Sequence, residues 1–381
     1  MRARLIVISL FAVFAACACS SLDALNPFAG KGPKMVELKP FQASAQARVA
    51  WRESVGKSGA YVFSPAVSGS SVYAAGSDGS VIRVDEGKTV WKINAGMPLS
   101  AGVGTDGNLV AVASPKGDVL VFSAADGTLA WKAKATSEVL SPPAVGEGLV
   151  IVRSNDNCLA AYDAADGRRK WLYQRPAPAL ALRMSAPPVI SGRYVFAGFP
   201  GGKLIAVALS NGVSAWEGTV ALPKGTTELE RVADITSAPV IAERTLCAVA
   251  FQGRVACFDL NNGNLLWARD MSSWVGLAMD SRYLFVTDEK GAVHALDLVS
   301  GSSVWKQDAL FMRRVSAPLP LRGGVAVADA RGVVHFLNRE SGAFAARLDT
   351  DDGSVRASPQ ALGNRLLIQT DKGGLYAIDV E

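Results

Sequence analysis

The chain has 381 residues, 49% of them hydrophobic and 19% charged, with 37 glycines and 18 prolines. This composition argues for a well-buried globular body with many turns, and the length fits either two ordinary domains or one large β architecture. The formal net charge of +5 is small and its basic residues are scattered, which argues against a nucleic-acid surface.

Arg2 and Arg4 precede an apolar stretch from Leu5 to Ala16 that ends in small residues, the layout of a secretory signal and too short to span a bilayer permanently. The "FAACACSS" that follows resembles the lipobox of bacterial lipoproteins, in which a cysteine after small residues is acylated and becomes the first residue of the mature chain. Cys19 is the expected lipidation site because Ser20 and Ser21 follow it, with Cys17 as the alternative. An ordinary signal peptide with incidental cysteines is the plainer possibility. By the same resemblance, a serine after the lipidated cysteine implies sorting to the outer membrane. Residues 1–18 are thus expected as a lipoprotein signal peptide. Residues 19–45 carry Pro27, Gly30, Gly32, Pro33 and Pro40 without sustained periodicity, and are expected as a lipidated flexible tether.

From residue 46 to 381 the chain repeats. A Gly-x-x-x-Trp spacing places Trp91, Trp131, Trp171, Trp216, Trp267 and Trp305, and Gly342 has Ala346 where the next indole would stand. Trp51 lacks the preceding turn, while Ala377-x-Asp379 near the other end lacks the turn and tryptophan that should follow it. From Trp51 the steps are 40, 40, 40, 45, 51, 38 and 41 residues, so eight positions exist. Within each unit, alternating stretches such as "RYVFAGF" and "KLIAVAL" between glycine turns predict half-buried antiparallel strands. The expectation is therefore an all-β, eight-bladed β-propeller of four-stranded antiparallel blades, closed by pairing of the N- and C-terminal strands. In a unit such as "YDAADGRRKW", Asp163 accepts bonds from its turn, Gly167 takes a positive φ, and Trp171 docks one blade on the next.

Connector length nominates a surface. From Trp171 to Ser185 takes 14 residues and from Trp216 to Ser237 takes 21, against 9 to 13 in the other countable units. These two long connectors belong to neighbouring blades and share one rim. The first offers Leu180, Leu182 and Arg183; the second offers Glu228, Glu230 and Asp234, so an apolar and charged patch suited to a protein partner is expected.

Chemistry is sparse by comparison. His294 and His335 are the only histidines, each within a strand-like stretch, and no zinc-spaced cluster, phosphate loop or nucleophile elbow accompanies them. Cys247 and Cys257 flank the hairpin "CAVAFQGRVAC"; two buried thiols are expected, with a cross-strand disulfide as the alternative.

The pattern Ala-x-Asp-x-x-x-Gly-x-x-x-Trp, at Ala161 to Trp171 and Ala295 to Trp305, resembles the tryptophan-docking motif of pyrroloquinoline-quinone (PQQ) dehydrogenases. That family implies a calcium-bound quinone beside an aspartate base and, in alcohol-oxidising members, a vicinal cysteine pair. The chain has no vicinal pair after its leader, and no cofactor or metal is expected. Lipobox, tether and catalytically empty eight-bladed ring together resemble the BamB family of outer-membrane protein assembly factors. This resemblance implies a non-enzymatic, lipid-anchored scaffold of the β-barrel assembly machinery, facing the periplasm. Its implied partners are the POTRA domains of BamA and unfolded outer-membrane protein precursors. "LALR" matches the family's Leu-x-Leu-Arg docking motif through Leu180, Leu182 and Arg183; Asp234 matches the first residue of its Asp-x-Asp pair, and Thr236 replaces the second. A PQQ-dependent enzyme or sensor, or an envelope scaffold for another partner, is the alternative.

Overall fold

The repeating unit folds into four strands that differ in what they face. In the third unit the middle strands, Leu149–Arg153 and Cys158–Asp163, are almost wholly buried, whereas the outer strand Arg169–Gln174 alternates between exposed and covered positions. A run such as LVIVR is apolar on both faces because both faces are covered. Leu149 and Ile151 pack with Val195, Ala197 and Phe199 of the following unit, so the core is a series of clusters between adjacent sheets.

A computed structural model describes residues 33–176 and 178–381. Among them are thirty-two strands in eight four-stranded antiparallel sheets, the blades of a propeller. Seven blades are continuous in sequence, spanning residues 66–94, 101–134, 144–174, 189–219, 240–270, 277–307 and 319–349 (blades 1 to 7). The eighth takes its three inner strands from residues 360–380 and its outer strand, Ala47–Ser54, from the other end of the chain. The register runs from Ala47 opposite Val380 to Ser54 opposite Gly374 and places Trp51 against Ala377. Trp171 likewise faces Ala161, Trp216 faces Ala206 and Trp305 faces Ala295, a small residue leaving room for each indole. At Ala346 the relation inverts, and Phe336 supplies the bulk opposite it.

Two expectations change. Cys247 and Cys257 form a disulfide rather than standing as two thiols. The middle strands of blade 5 set them directly opposite one another in a wholly buried position, so the register meets the demand of cross-strand geometry. Residues 36–45, expected as the last part of the flexible tether of residues 19–45, are fastened to the ring. They form no regular strand, yet they are bound along the outer edge of blade 7, because Leu38 and Phe41 find apolar cover there. The expected signal peptide, residues 1–18, and the candidate lipidation sites Cys17 and Cys19 lie outside the described residues.

Candidate functional site

The tryptophans build joints between blades. Trp131 Nε1 donates to Ala164 O at 2.8 Å, Trp171 to Leu209 O at 2.7 Å and Trp305 to Arg339 O at 2.8 Å, each carbonyl belonging to the next blade. Trp91, Trp216 and Trp267 do the same with Ala124, Leu260 and Leu298. In these six joints the acceptor stands three residues before the turn glycine, and the indole lies against that glycine itself. Trp51 packs on Gly87, whose turn is shorter, and its Nε1 has no hydrogen-bond partner among the described residues. Ala346 faces blade 8, which has no such turn because the chain ends occupy its place; Ala45 and Ala47 pack there instead.

Outer-to-inner connectors between consecutive blades gather on one rim, and the two long ones are neighbours there. Leu180 is 45% exposed, Leu182 is half-buried and the Arg183 side chain is 60% exposed. Asp234 is turned inward, only 2% exposed. Its carboxylate accepts from Leu182 N at 2.7 Å and from Gly201 N at 3.1 Å. One connector therefore pins the other at the leucine of the "LALR" stretch, and Asp234 is a positioning group rather than an exposed contact. Burial pushes its carboxyl above the usual range, against the opposing pull of those two backbone bonds and the nearby Arg153 charge. Arg153 is itself buried, stacked 3.8 Å over the Phe199 ring, and desolvation lowers it to about 10.

Arg183 finds its acid on a third connector. Its guanidinium donates from Nε to Glu138 Oε2 at 3.2 Å and from Nη2 to Glu138 Oε1. Bidentate pairing of this kind fixes the plane of the guanidinium, and the Glu138 bond raises its pKa further. Sequence reading missed Glu138, because its connector has no extra length to mark it. Also missed were Leu222 and Leu229, which are 59% and 72% exposed on the long connector after Trp216. Glu230, expected to face a partner, is spent on its own loop, accepting from Thr226 N and Thr227 N. Glu228 stays exposed. Thr236 is buried and donates to Trp274 O at 2.9 Å, a bond that an ionised carboxylate at this position has no proton to make.

Both histidines are held by a carboxylate of their own blade: His294 Nε2 lies 3.0 Å from Asp288 Oδ2, and His335 Nε2 lies 3.2 Å from Asp329 Oδ2. No group of three or more potential metal ligands occurs among the described residues.

A closed ring with repeated structural joints defines an eight-bladed β-propeller, with an irregular, partly apolar connector rim. The family described as outer membrane protein assembly factor BamB matches residues 77–307. The BamB of Bordetella pertussis is 44% identical over 348 residues, covering 91% of this chain and 90% of the relative. The chain belongs to the BamB family of outer membrane protein assembly factors, which is not a family of enzymes. Among solved structures, BamB from Moraxella catarrhalis superposes with a TM-score of 0.81 at 24% identity, covering 87% of this chain and 99% of that one. The quinohemoprotein alcohol dehydrogenase of Comamonas testosteroni has a TM-score of 0.70 at 13% identity, over 87% of this chain and 76% of its own; it shares the fold alone.

Proposed function

We propose that the protein is a lipid-anchored subunit of the β-barrel assembly machinery, held by Cys19 at the periplasmic side of the outer membrane, that docks the POTRA region of BamA through the connector rim of blades 2 to 5. The observation that carries this reading is the bond from Leu182 N to buried Asp234, which holds Leu180, Leu182 and the Arg183–Glu138 pair as one preset surface. A preset patch loses little conformational freedom on binding. Unfolded precursors would be handled elsewhere on the ring, where outer strands have an unpaired edge and exposed apolar residues such as Leu129 and Leu265.

The test is recovery of BamA with the tagged full-length protein from solubilised membranes. Leu182→Ala and Arg183→Ala are each expected to weaken recovery, with a loss of about 2 kcal/mol, roughly thirtyfold in Kd, for a central contact. Unchanged recovery with both variants would sink the assignment.

A further inference from the structure

Residues 36–45 are fastened to the ring at both ends and in the middle. Val36 N donates to Phe311 O at 3.2 Å, and Arg313 Nη1 donates to Val36 O at 2.9 Å. Arg347 Nη1 donates to Lys39 O at 3.2 Å, and its guanidinium lies against both the Phe41 and the Phe344 ring, at 4.9 and 5.4 Å from their centroids. Those two rings touch each other, with centroids 5.4 Å apart. Ser44 N and Ala45 N both donate to Ala345 O. Beneath this segment Arg313 is buried and bound to the fully buried Asp329, which also holds His335; Arg347 Nε in turn donates to His335 Nδ1. The segment thus gives two arginines main-chain acceptors that no other described residue supplies to those atoms.

Direction matters as much as attachment. The segment runs antiparallel to the outer strand Phe344–Asp349, starting beside Phe311 and Arg313 in the connector from blade 6 to blade 7, and ending where Ala47–Ser54 begins. Its first described contacts therefore lie on the connector rim, the same rim that carries Leu182, Arg183 and Glu138. Three blades separate the two places around the ring.

We infer that residues 36–45 are a fixed strap that brings the membrane anchor out on the connector rim, so that this rim, with its docking patch, faces the lipid bilayer. The inference rests on the proposed anchor at Cys19. The 17 residues from Cys19 to Val36 reach at most about 60 Å, whereas a chain free as far as Gln46 would reach about 95 Å from either rim. The strap shortens the leash and decides the rim from which it leaves.

Two measurements on the full-length acylated protein test this. In vesicles containing acceptor-labelled lipid headgroups, a donor dye is placed at Asp308→Cys on the connector rim or at Val299→Cys on the opposite rim of the same blade; both sites are exposed. Cys158 is buried and Cys247 is bonded to Cys257, so neither competes for label. Energy transfer at least about twofold greater from position 308 is expected, and combining Phe41→Ala with Arg347→Met should remove the difference. Equal transfer from both rims, or greater transfer from position 299, overturns the inference. Amide exchange reads the strap itself. Val36, Ser44 and Ala45 should exchange at least about tenfold more slowly than in an unstructured peptide. That protection should be lost in the double variant while the middle strands of blade 7 stay protected. Unprotected exchange in the wild type overturns the strap whatever the anchor. Failure to bind vesicles, with the strap protected, overturns the anchoring reading and the membrane half of the inference with it.

Discussion

At each joint an indole, a glycine and a carbonyl divide the work. The glycine does two things at once, and they are separable. Gly167 has φ 75° and a Cβ placed there would lie 2.5 Å from the Trp131 ring, whereas Gly148 has φ 72° with open space around it. Gly148→Ala is therefore expected to cost only the left-handed penalty, about 1–2 kcal/mol. Gly167→Ala adds the overpacking of a buried joint, about 1–3 kcal/mol more. Thermal unfolding of the two variants side by side checks this, and equal melting temperatures would show that the close approach carries no weight. Asp234 belongs to the same scale. Its residue type matched a docking motif, yet the side chain faces inward; which way a carboxylate points depends on the amide groups folding brings to it, Leu182 N and Gly201 N, one from the neighbouring connector.

Among elements, the strands were legible because burial repeats with the chain. The middle strands, expected to be half-buried, are buried almost throughout, as in YVFAGF and KLIAVA, because a neighbouring blade covers each face; only the outer strand RKWLYQ alternates. The hairpin of blade 5 was only half legible. Its spacing put Cys247 opposite Cys257 but left the chemical state of the sulfurs open, and the register decided for a bond. Closing a loop of this size is worth about 2–3 kcal/mol in the chain-entropy view. Reduction is accordingly expected to lower the melting temperature of the wild type and to leave a Cys247→Ala, Cys257→Ala double variant unmoved. A wild type indifferent to reductant would contradict that. Connectors were legible by length alone, which found the two long ones and missed Glu138 on a short one.

For the whole molecule, closure is the controlling fact. Gln46 N donates to Glu381 O at 2.8 Å and Glu381 N donates to Gln46 O at 2.9 Å, so the two ends meet as a hairpin that merely lacks its turn. A permuted chain with Glu381 joined to Gln46 through Asn-Gly, and new ends in the exposed stretch 222–226, is expected to fold and to unfold in one cooperative transition. Failure of that permutant to fold would mean that pairing of Gln46 with Glu381 is not enough, and that the order of the ends or the lost contacts of residues 36–45 are also required. The joint also explains the one missing tryptophan: blade 8 has no turn glycine to receive an indole, and Ala346 lies in a cluster with Ala45 of the strap and Ala47 of the outer strand instead. By itself, the sequence determined the number of blades, their strands, the docking indoles and the pairing of the two ends, because each follows from a period that local residues repeat. Only the tertiary structure decided that Asp234 points inward, that Arg183 meets Glu138, and that residues 36–45 are bound to blade 7. Those contacts join segments far apart in the chain, and no local period records which of them folding will bring together.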